Sequence, residues 1–162
     1  MTSVSGLPAF VAEIRGDADL PSDHAGAAVL PLKTCLRLIA QEAVGRLAFL
    51  SNGEIVVLPV AFTATGSSVC FRSTVGSKVA AAVDRESVTF EVDHYDQASR
   101  SGWSVLLTGI ARPVTDEAFL DELEQRGLAR WLDTAGGTYW IEIQPHTVTG
   151  RAVLPSSAAP PR

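Results

Sequence analysis

The sequence predicts a mainly β protein, an antiparallel β-barrel of about six strands with about three helices at its periphery. Hairpins dominate the predicted elements, and the helical crossover between the third and fourth strands is short. The alternating strand–helix order that a doubly wound parallel sheet requires is absent. The 162 residues suit one domain, since single domains cluster at about 100–150 residues.

The first predicted elements are a helix and a β-hairpin. Four apolar residues recur at helical spacing after a proline suited to a first turn: Leu32, Leu36, Ile39 and Ala43 after Pro31. We expect this helix to end near Gly45, a natural C-terminal stop. Two apolar runs, 46–50 and 55–62, then flank Asn52-Gly53. This pair is the strongest short-range hairpin signal, because both residues tolerate a positive φ.

The middle of the chain predicts two further strands around a short helix. Ser68–Ser73 is the third strand, and residues 76–84 form the helix. In Ser87–His94 apolar and polar residues alternate, which places Val88, Phe90 and Val92 on one face of a fourth strand.

The last part of the chain predicts two long strands with a helix between them. Trp103–Val114 is one strand, and Gly109 within it indicates a bulge or a close backbone approach. Thr115 is expected to cap the following helix, whose first turn carries the negative charge that the helix dipole favours. Tyr139–Thr149 is the final strand.

The predicted domain covers residues 31–154. Residues 1–30 mix Gly, Pro, Ser and Asp with a short apolar patch, and we interpret them as a loosely attached N-terminal arm. Residues 155–162 are rich in Pro, Ala and Ser, which is typical of a flexible tail.

Composition and motifs exclude several functions. A net charge of −5 argues against nucleic acid as a partner, since duplex binding needs a basic face. No apolar run approaches the roughly 18–20 residues of a membrane span, and a secretory leader pattern is absent, so we expect a cytoplasmic protein and no membrane partner. Cys35 and Cys70 form no CxxC pair, and we expect two reduced, buried thiols and no metal site. The motifs of nucleotide hydrolases, zinc proteases and serine hydrolases are absent.

A candidate phosphate site lies in the octapeptide FRSTVGSK, residues 71–78. Arg72 and Ser73 end a strand, and Gly76-Ser77 open a helix, whose free N–H groups bind anions. Arg72 can contact a phosphate through two parallel hydrogen bonds, and Lys78 is one of only two lysines in the chain. The alternative is a capped helix with two exposed basic residues.

Leu58-Pro59-Val60 lies on the strand that precedes this octapeptide. Proline cannot donate a ladder hydrogen bond, so Pro59 marks a sheet edge or an interrupted ladder. Main-chain groups exposed at such a place can pair with a flat heterocycle. The alternative is that Pro59 only protects a sheet edge.

These segments resemble one known family, the pyridoxamine 5′-phosphate oxidase-like FMN-binding split-barrel proteins. The similarity is carried by VGRLAFLSNGEIVVLPVAFTATGSSVCFRSTVGSK, followed by Phe90–Asp93, Trp103–Val105, Trp140–Pro145 and Thr149–Arg151. Small actinobacterial members related to the nitroimidazole reductases are the most similar. The resemblance implies a six-stranded antiparallel split barrel that forms a homodimer, with flavin bound at the subunit interface.

The resemblance also implies which residues bind the cofactor. One strand segment borders the isoalloxazine ring: Val57, Leu58, Pro59 and Val60. A second group holds the phosphate: Arg72, Ser73, Gly76, Ser77 and Lys78. Trp103 and Trp140 approach the cofactor from the partner subunit, or they are core or interface aromatics.

The implied function is that of an FMN-binding, flavin-dependent oxidoreductase acting on a small-molecule substrate, with no catalytic side chain assigned. A deazaflavin-dependent reductase on the same fold and a non-catalytic flavin- or haem-binding protein are the alternatives. The arginine-rich substrate segments of true pyridoxamine phosphate oxidases are absent, so that substrate is not expected. The histidines His24, His94 and His146 are expected to be structural or solvated.

Overall fold

The strands form one antiparallel sheet, described here from a computed structural model that covers residues 7–17, 19–74, 79, 83–128 and 137–155. In these residues the strands are β1 (Ala28–Val29), β2 (Val44–Ser51), β3 (Glu54–Thr65), β4 (Ser68–Thr74), β5 (Ser87–Asp96), β6 (Ser101–Pro113) and β7 (Thr138–Val153). The helices are α1 (Ala9–Arg15), α2 (Leu32–Ile39) and α3 (Glu117–Gln125).

Six of the strands close into a ring. The strand order is β1-β7-β4-β3-β2-β5-β6, and β6 pairs again with β7. The predicted six-stranded antiparallel barrel is therefore confirmed, and its strands differ from the predicted ones only by a few residues at their ends. The short β1 adds to this ring by pairing with the end of β7.

The β2–β3 hairpin forms at the predicted turn. Asn52 and Gly53 have φ angles of 51° and 81°, in the left-handed region that such a turn requires. The register runs from the Ser51–Glu54 pair to the Val44–Ala61 pair. Because side chains alternate along a strand, this turn also decides which residues of β3 face the core.

Gly109 shows both features that its place in a strand predicts. The pairing of β6 with β7 shifts register between Thr108 and Gly109, which is a bulge. A Cβ atom at position 109 would overlap the carbonyl oxygen of Gln144 on β7. The glycine therefore permits the close backbone approach at the bulge.

The first predicted helix ends earlier than expected. α2 ends at Ile39, and Gly45 lies inside β2. A Cβ atom at Gly45 would overlap the ring of Phe90 on β5. The expectation of a helix end at Gly45 is wrong because this glycine serves the packing of two strands.

The cap of α3 also differs from the predicted one. Asp116, and not Thr115, is the N-terminal cap of this helix. Its carboxylate accepts a hydrogen bond of 2.7 Å from the backbone N–H of Phe119. The carboxylate thus satisfies one of the free N–H groups of the first turn.

The N-terminal segment is packed against the barrel. On α1 the side chains of Phe10, Val11 and Ile14 are buried in the larger apolar cluster of the protein. We call this cluster the main core, and it includes Leu47, Phe71 and Phe90 of the barrel strands. Glu13 forms an ion pair with Arg37 of α2. The expectation of a loosely attached arm is wrong for this helix, because its apolar face is part of the core. The domain boundaries at residues 31 and 154 remain predictions.

A smaller apolar cluster lies between α3 and the barrel, and we call it the α3 cluster. Its buried members are Cys70, Leu123 and Trp140. Both cysteines are free and buried, as predicted, and burial raises the pKa of the Cys70 thiol to about 12. None of the helices in the described ranges has the length and apolar character needed to cross a membrane.

Candidate functional site

One edge of β3 lacks a strand partner over much of its length. Residues 54–61 pair with β2 on one side, whereas β4 pairs only with Phe62–Thr65. Among the described strands none covers the other edge of residues 54–61, so the barrel is split there. Pro59 lies in this one-sided ladder, opposite Arg46, as its place in the sequence predicts.

The predicted ring-binding residues line this open edge and alternate between two faces. Leu58 and Val60 are partly buried and pack against the main core. Val57 and Pro59 lie on the outer face, where the side chain of Val57 is 57% exposed. The open edge therefore offers main-chain groups between apolar side chains.

The end of β4 lies across the split from this edge. Arg72–Thr74 pairs with Thr138–Trp140 of β7 and not with β3. Ser73 is buried on the same face as Phe71 of the main core. Arg72 projects from the opposite face, towards α3. The structure thus brings both residues to the split but on different faces of one strand.

Arg72 is held by two residues on the outer face. Its guanidinium forms an ion pair with Glu124 of α3. Its central carbon lies 4.9 Å from the centroid of the Trp140 ring, a cation–π arrangement. The indole Nε1 of Trp140 donates a hydrogen bond of 2.8 Å to the other carboxylate oxygen of Glu124. These contacts join β4, β7 and α3.

The guanidinium of Arg72 is not fully used by these contacts. The side chain is only 16% exposed. Its Nε is buried and has no hydrogen-bond partner among the described residues. A buried donor of this kind normally has a hydrogen-bond acceptor.

The rest of the predicted phosphate segment, Gly76, Ser77 and Lys78, lies outside the described residues. Of the helix predicted over residues 76–84, Val79 and Val83 are described as helical. Both pack with the main core. The described part of the candidate site is therefore the open edge of β3 together with Arg72 and Ser73.

The two tryptophans assigned to the site are buried within the chain. Trp103 is 4% exposed in the main core, and Trp140 is 2% exposed in the α3 cluster. Both placements match the alternative of core aromatics. Trp140 is the one that touches another predicted site residue, Arg72.

A cluster of charged side chains beside Pro59 was not predicted from the sequence. Arg46 lies opposite Pro59 and forms ion pairs with Glu91 at 3.2 Å and Asp93 at 2.8 Å. Burial, followed by repulsion from Asp93, raises the pKa of Glu91. The hairpin register could have placed Arg46 opposite Pro59. The contact of Glu124 with Arg72 has no such local signal, because it depends on how α3 packs.

One histidine contacts neighbouring side chains, and the other two are exposed. The Nδ1 of His94 lies 3.2 Å from a carboxylate oxygen of Glu42, and its ring packs edge-on against Phe10. His24 and His146 are exposed.

Comparisons with known proteins identify the family. Residues 31–152 match the sequence model of the family described as pyridoxamine 5′-phosphate oxidase. The chain is 32% identical over 130 residues to the uncharacterized protein Rv0080 of Mycobacterium tuberculosis. The matched region covers 77% of this chain and 84% of that protein.

Two solved structures share the fold. An FAD-binding protein from Mycobacterium smegmatis has 32% identity and a TM-score of 0.69, over 78% of this chain and 99% of its own. An FAD-binding protein from Mesorhizobium loti has 21% identity and a TM-score of 0.63, over 78% of this chain and 98% of its own, and it supports the fold alone. Because the family match runs from the start of α2 almost to the end of β7, the chain belongs to the pyridoxamine 5′-phosphate oxidase family.

Proposed function

We propose that the protein binds FMN in the split between β3 and β4 and acts as a flavin-dependent oxidoreductase on a small acceptor. The observation that best supports this proposal is the open edge of β3, where residues 54–61 pair with β2 alone. Backbone N–H and C=O groups need partners, and an edge without a neighbouring strand leaves them free to bind a ligand. A flat heterocycle with polar groups on its rim suits such an edge.

In this proposal the isoalloxazine ring lies along Val57–Val60. The N–H of Phe62 bonds to Ala43 on the β2 side, so by alternation the backbone groups of residues 57, 59 and 61 face the open edge. Pro59 has no N–H, so its C=O group and the N–H and C=O groups of Val57 and Ala61 make the polar contacts. The side chains of Val57 and Leu58 leave opposite faces of the strand and provide apolar contacts to the ring. A mostly apolar site with a few placed polar groups is typical of cofactor pockets.

The phosphate is assigned to the end of β4 and the segment that follows. Arg72 suits an anion because its buried Nε lacks a partner among the described residues. Leaving a buried donor unpaired costs about 1–3 kcal/mol, which a phosphate oxygen would recover. The resemblance adds Ser73, whose side chain leaves the other face of β4, together with Gly76, Ser77 and Lys78 from the segment that follows. The charge of Lys78 would offset that of Glu124, which pairs with Arg72.

A homodimer with the cofactor at its interface is part of the proposal. The outer face of the β2–β3 hairpin carries three exposed apolar side chains, and Leu50, Ile55 and Val57 are 63%, 79% and 57% exposed. Exposed apolar patches of this kind mark interaction surfaces. Val57 belongs both to this patch and to the ring-binding edge, so a partner subunit on the patch would also contact the cofactor.

When bound, a flavin supplies the electron-transfer chemistry, and the protein supplies binding and orientation. FAD is the second candidate cofactor, because the solved relative with 32% identity is an FAD-binding protein. The same residues would hold its ring and first phosphate. A deazaflavin or haem is the further alternative, and the net charge of −5 disfavours a polyanionic deazaflavin tail. Two free, buried thiols suit a reducing cytoplasm, which is the proposed location.

The absorption spectrum of the freshly purified protein tests the cofactor, with mass spectrometry of the compound released on denaturation. We expect the two-band flavin spectrum and the mass of FMN. The mass of FAD, the single band of a deazaflavin or the intense band of haem would each assign the corresponding alternative. A colourless protein that takes up none of these compounds in a titration would overturn the proposal.

Addition of NADH or NADPH to the loaded protein tests the activity. An oxidoreductase is expected to lose the flavin colour rapidly with one of the two nicotinamides. A bound flavin that neither reductant bleaches would support the non-catalytic alternative.

A further inference from the structure

We infer that Glu124 is a positioning residue, which orients the proposed phosphate ligand Arg72 and so sets the affinity for the flavin phosphate without touching it. This inference rests on the proposed function, because it gives Arg72 a part in flavin binding. It adds a residue from α3, an element outside the octapeptide 71–78.

The place of Glu124 on its helix points to a specific role. It lies in the last turn of α3, which contains no basic residue. Free carbonyl groups give this end of a helix a partial negative charge, so a carboxylate here is unfavourable unless partners offset it. Both of its oxygens have such partners, since one pairs with Arg72 and the other accepts from Trp140 at 2.8 Å.

These contacts restrict the guanidinium of Arg72. The ring of Trp140 lies on one side of it, 4.9 Å from the guanidinium carbon, and Glu124 holds one terminal nitrogen. Trp140 itself is fixed, because it is 2% exposed and belongs to the α3 cluster. An arginine that is already oriented loses less conformational freedom when it binds an anion. The arrangement also leaves Nε, the buried donor without a described partner, to donate a hydrogen bond to a phosphate oxygen.

Charge alone gives the opposite expectation. A carboxylate close to a phosphate repels it, so removal of the charge on Glu124 would tighten binding if repulsion dominated. The Glu124 side chain is 56% exposed, whereas that of Arg72 is 16% exposed. Water and salt screen an exposed charge, and they screen a buried guanidinium much less. We therefore expect the orientation of Arg72 to outweigh the repulsion.

A double-mutant cycle measures whether Glu124 acts through Arg72. The dissociation constant of FMN is determined by fluorescence titration for the wild type, Glu124→Gln, Arg72→Ala and the protein with both changes. Glu124→Gln is expected to weaken FMN binding roughly tenfold, as the loss of an orienting charge-assisted contact would. In the Arg72→Ala background the same change should have almost no effect.

Riboflavin and a control variant separate positioning from damage to the fold. Riboflavin has the ring without the phosphate, so the wild type and Glu124→Gln should bind it equally. Glu122→Gln is the matched control, because Glu122 lies on the same helix and pairs only with Arg126 in the described structure, at 2.6 Å. Its affinity for FMN should equal that of the wild type. Melting temperatures show that each variant is folded.

The outcomes distinguish this inference from the proposed function. If Arg72→Ala loses FMN affinity while Glu124→Gln binds FMN like the wild type or more tightly, the inference is wrong and the proposed function stands. Equal weakening of riboflavin and FMN by Glu124→Gln would also overturn it, since the phosphate would not be involved. A wild-type protein that binds no flavin would refute the proposed function, and the inference with it.

Discussion

Arg72 and Trp140 are paired residues across the β4–β7 ladder, and the guanidinium carbon of Arg72 lies 4.9 Å from the centroid of the Trp140 ring. This contact connects two parts of the molecule that the sequence presents separately. Arg72 lies at the split of the barrel, and Trp140 belongs to the α3 cluster. Substitutions in the α3 cluster are therefore expected to affect phosphate binding at the proposed site.

Gly109→Ala is expected to destabilise the barrel by about 1–3 kcal/mol, as overpacking does. The added methyl group would overlap the carbonyl oxygen of Gln144 at the bulge between β6 and β7. Urea denaturation measures the free energy of unfolding. Gly16→Ala is the control, because Gly16 has an ordinary φ of −68° at the end of α1. Equal stability of the two variants would show that the backbones do not approach closely at Gly109.

Phe10→Ala is expected to lower the free energy of unfolding by about 3 kcal/mol, the cost of a cavity left by a buried aromatic ring. Phe10 is 5% exposed in the main core, although it precedes the residues matched by the family. Leu7→Ala is the control, since Leu7 is 53% exposed and should change stability by less than about 0.5 kcal/mol. Similar small effects for both variants would mean that α1 is not part of the core.

Much of the fold could be predicted because its signals are local. Asn52-Gly53 determines a hairpin and its register within a few residues, and the alternation along β5 indicates its buried face. The predicted helix end at Gly45 was wrong, because this glycine makes room for the ring of Phe90 on a strand distant in sequence. The packing of α1 was not predicted for the same reason, since its short apolar patch is buried only by contact with the folded barrel.

In the candidate site too, local features could be predicted from the sequence, whereas contacts between distant segments could not. Pro59 has no backbone N–H, so the residue type alone predicts a sheet edge or an interrupted ladder. The structure places it on the open edge. Strand alternation separates the side chains of Arg72 and Ser73, although they are adjacent in the octapeptide. The pairing of Arg72 with Glu124 joins residues that are 52 positions apart, and no spacing rule predicts it.

The Cys70 thiol is expected to be inert in the native protein at pH 8. Burial raises its pKa to about 12, so the reactive thiolate is scarce. Unfolding exposes the thiol and lowers its pKa towards the ordinary value, so the free energy of unfolding should fall as the pH rises from about 9 towards 12. A thiol-reactive dye applied to the Cys35→Ala variant measures Cys70 alone. Fast labelling without denaturant would contradict its burial.

Ile55→Asp is expected to weaken the proposed homodimer, because it places a charge in the exposed apolar patch of the β2–β3 hairpin. The Ile55 side chain is 79% exposed in the single chain, so the fold itself should tolerate the change. Sedimentation velocity measures the monomer–dimer equilibrium. Leu32→Asp, at a 56% exposed position on α2, is the control for an added charge. Identical dimerisation of the wild type and Ile55→Asp would exclude this patch from the interface.

FMN titration of a variant that carries both Arg72→Ala and Lys78→Ala tests the proposed phosphate site. We expect FMN to bind the wild type with one flavin per chain and to bind this variant about a hundredfold more weakly, because two charged contacts to the phosphate are lost. The charge-matched control carries Lys33→Ala and Arg112→Ala at two exposed positions and should bind FMN like the wild type. An affinity for FMN that is unchanged in the Arg72→Ala, Lys78→Ala variant would contradict the phosphate site.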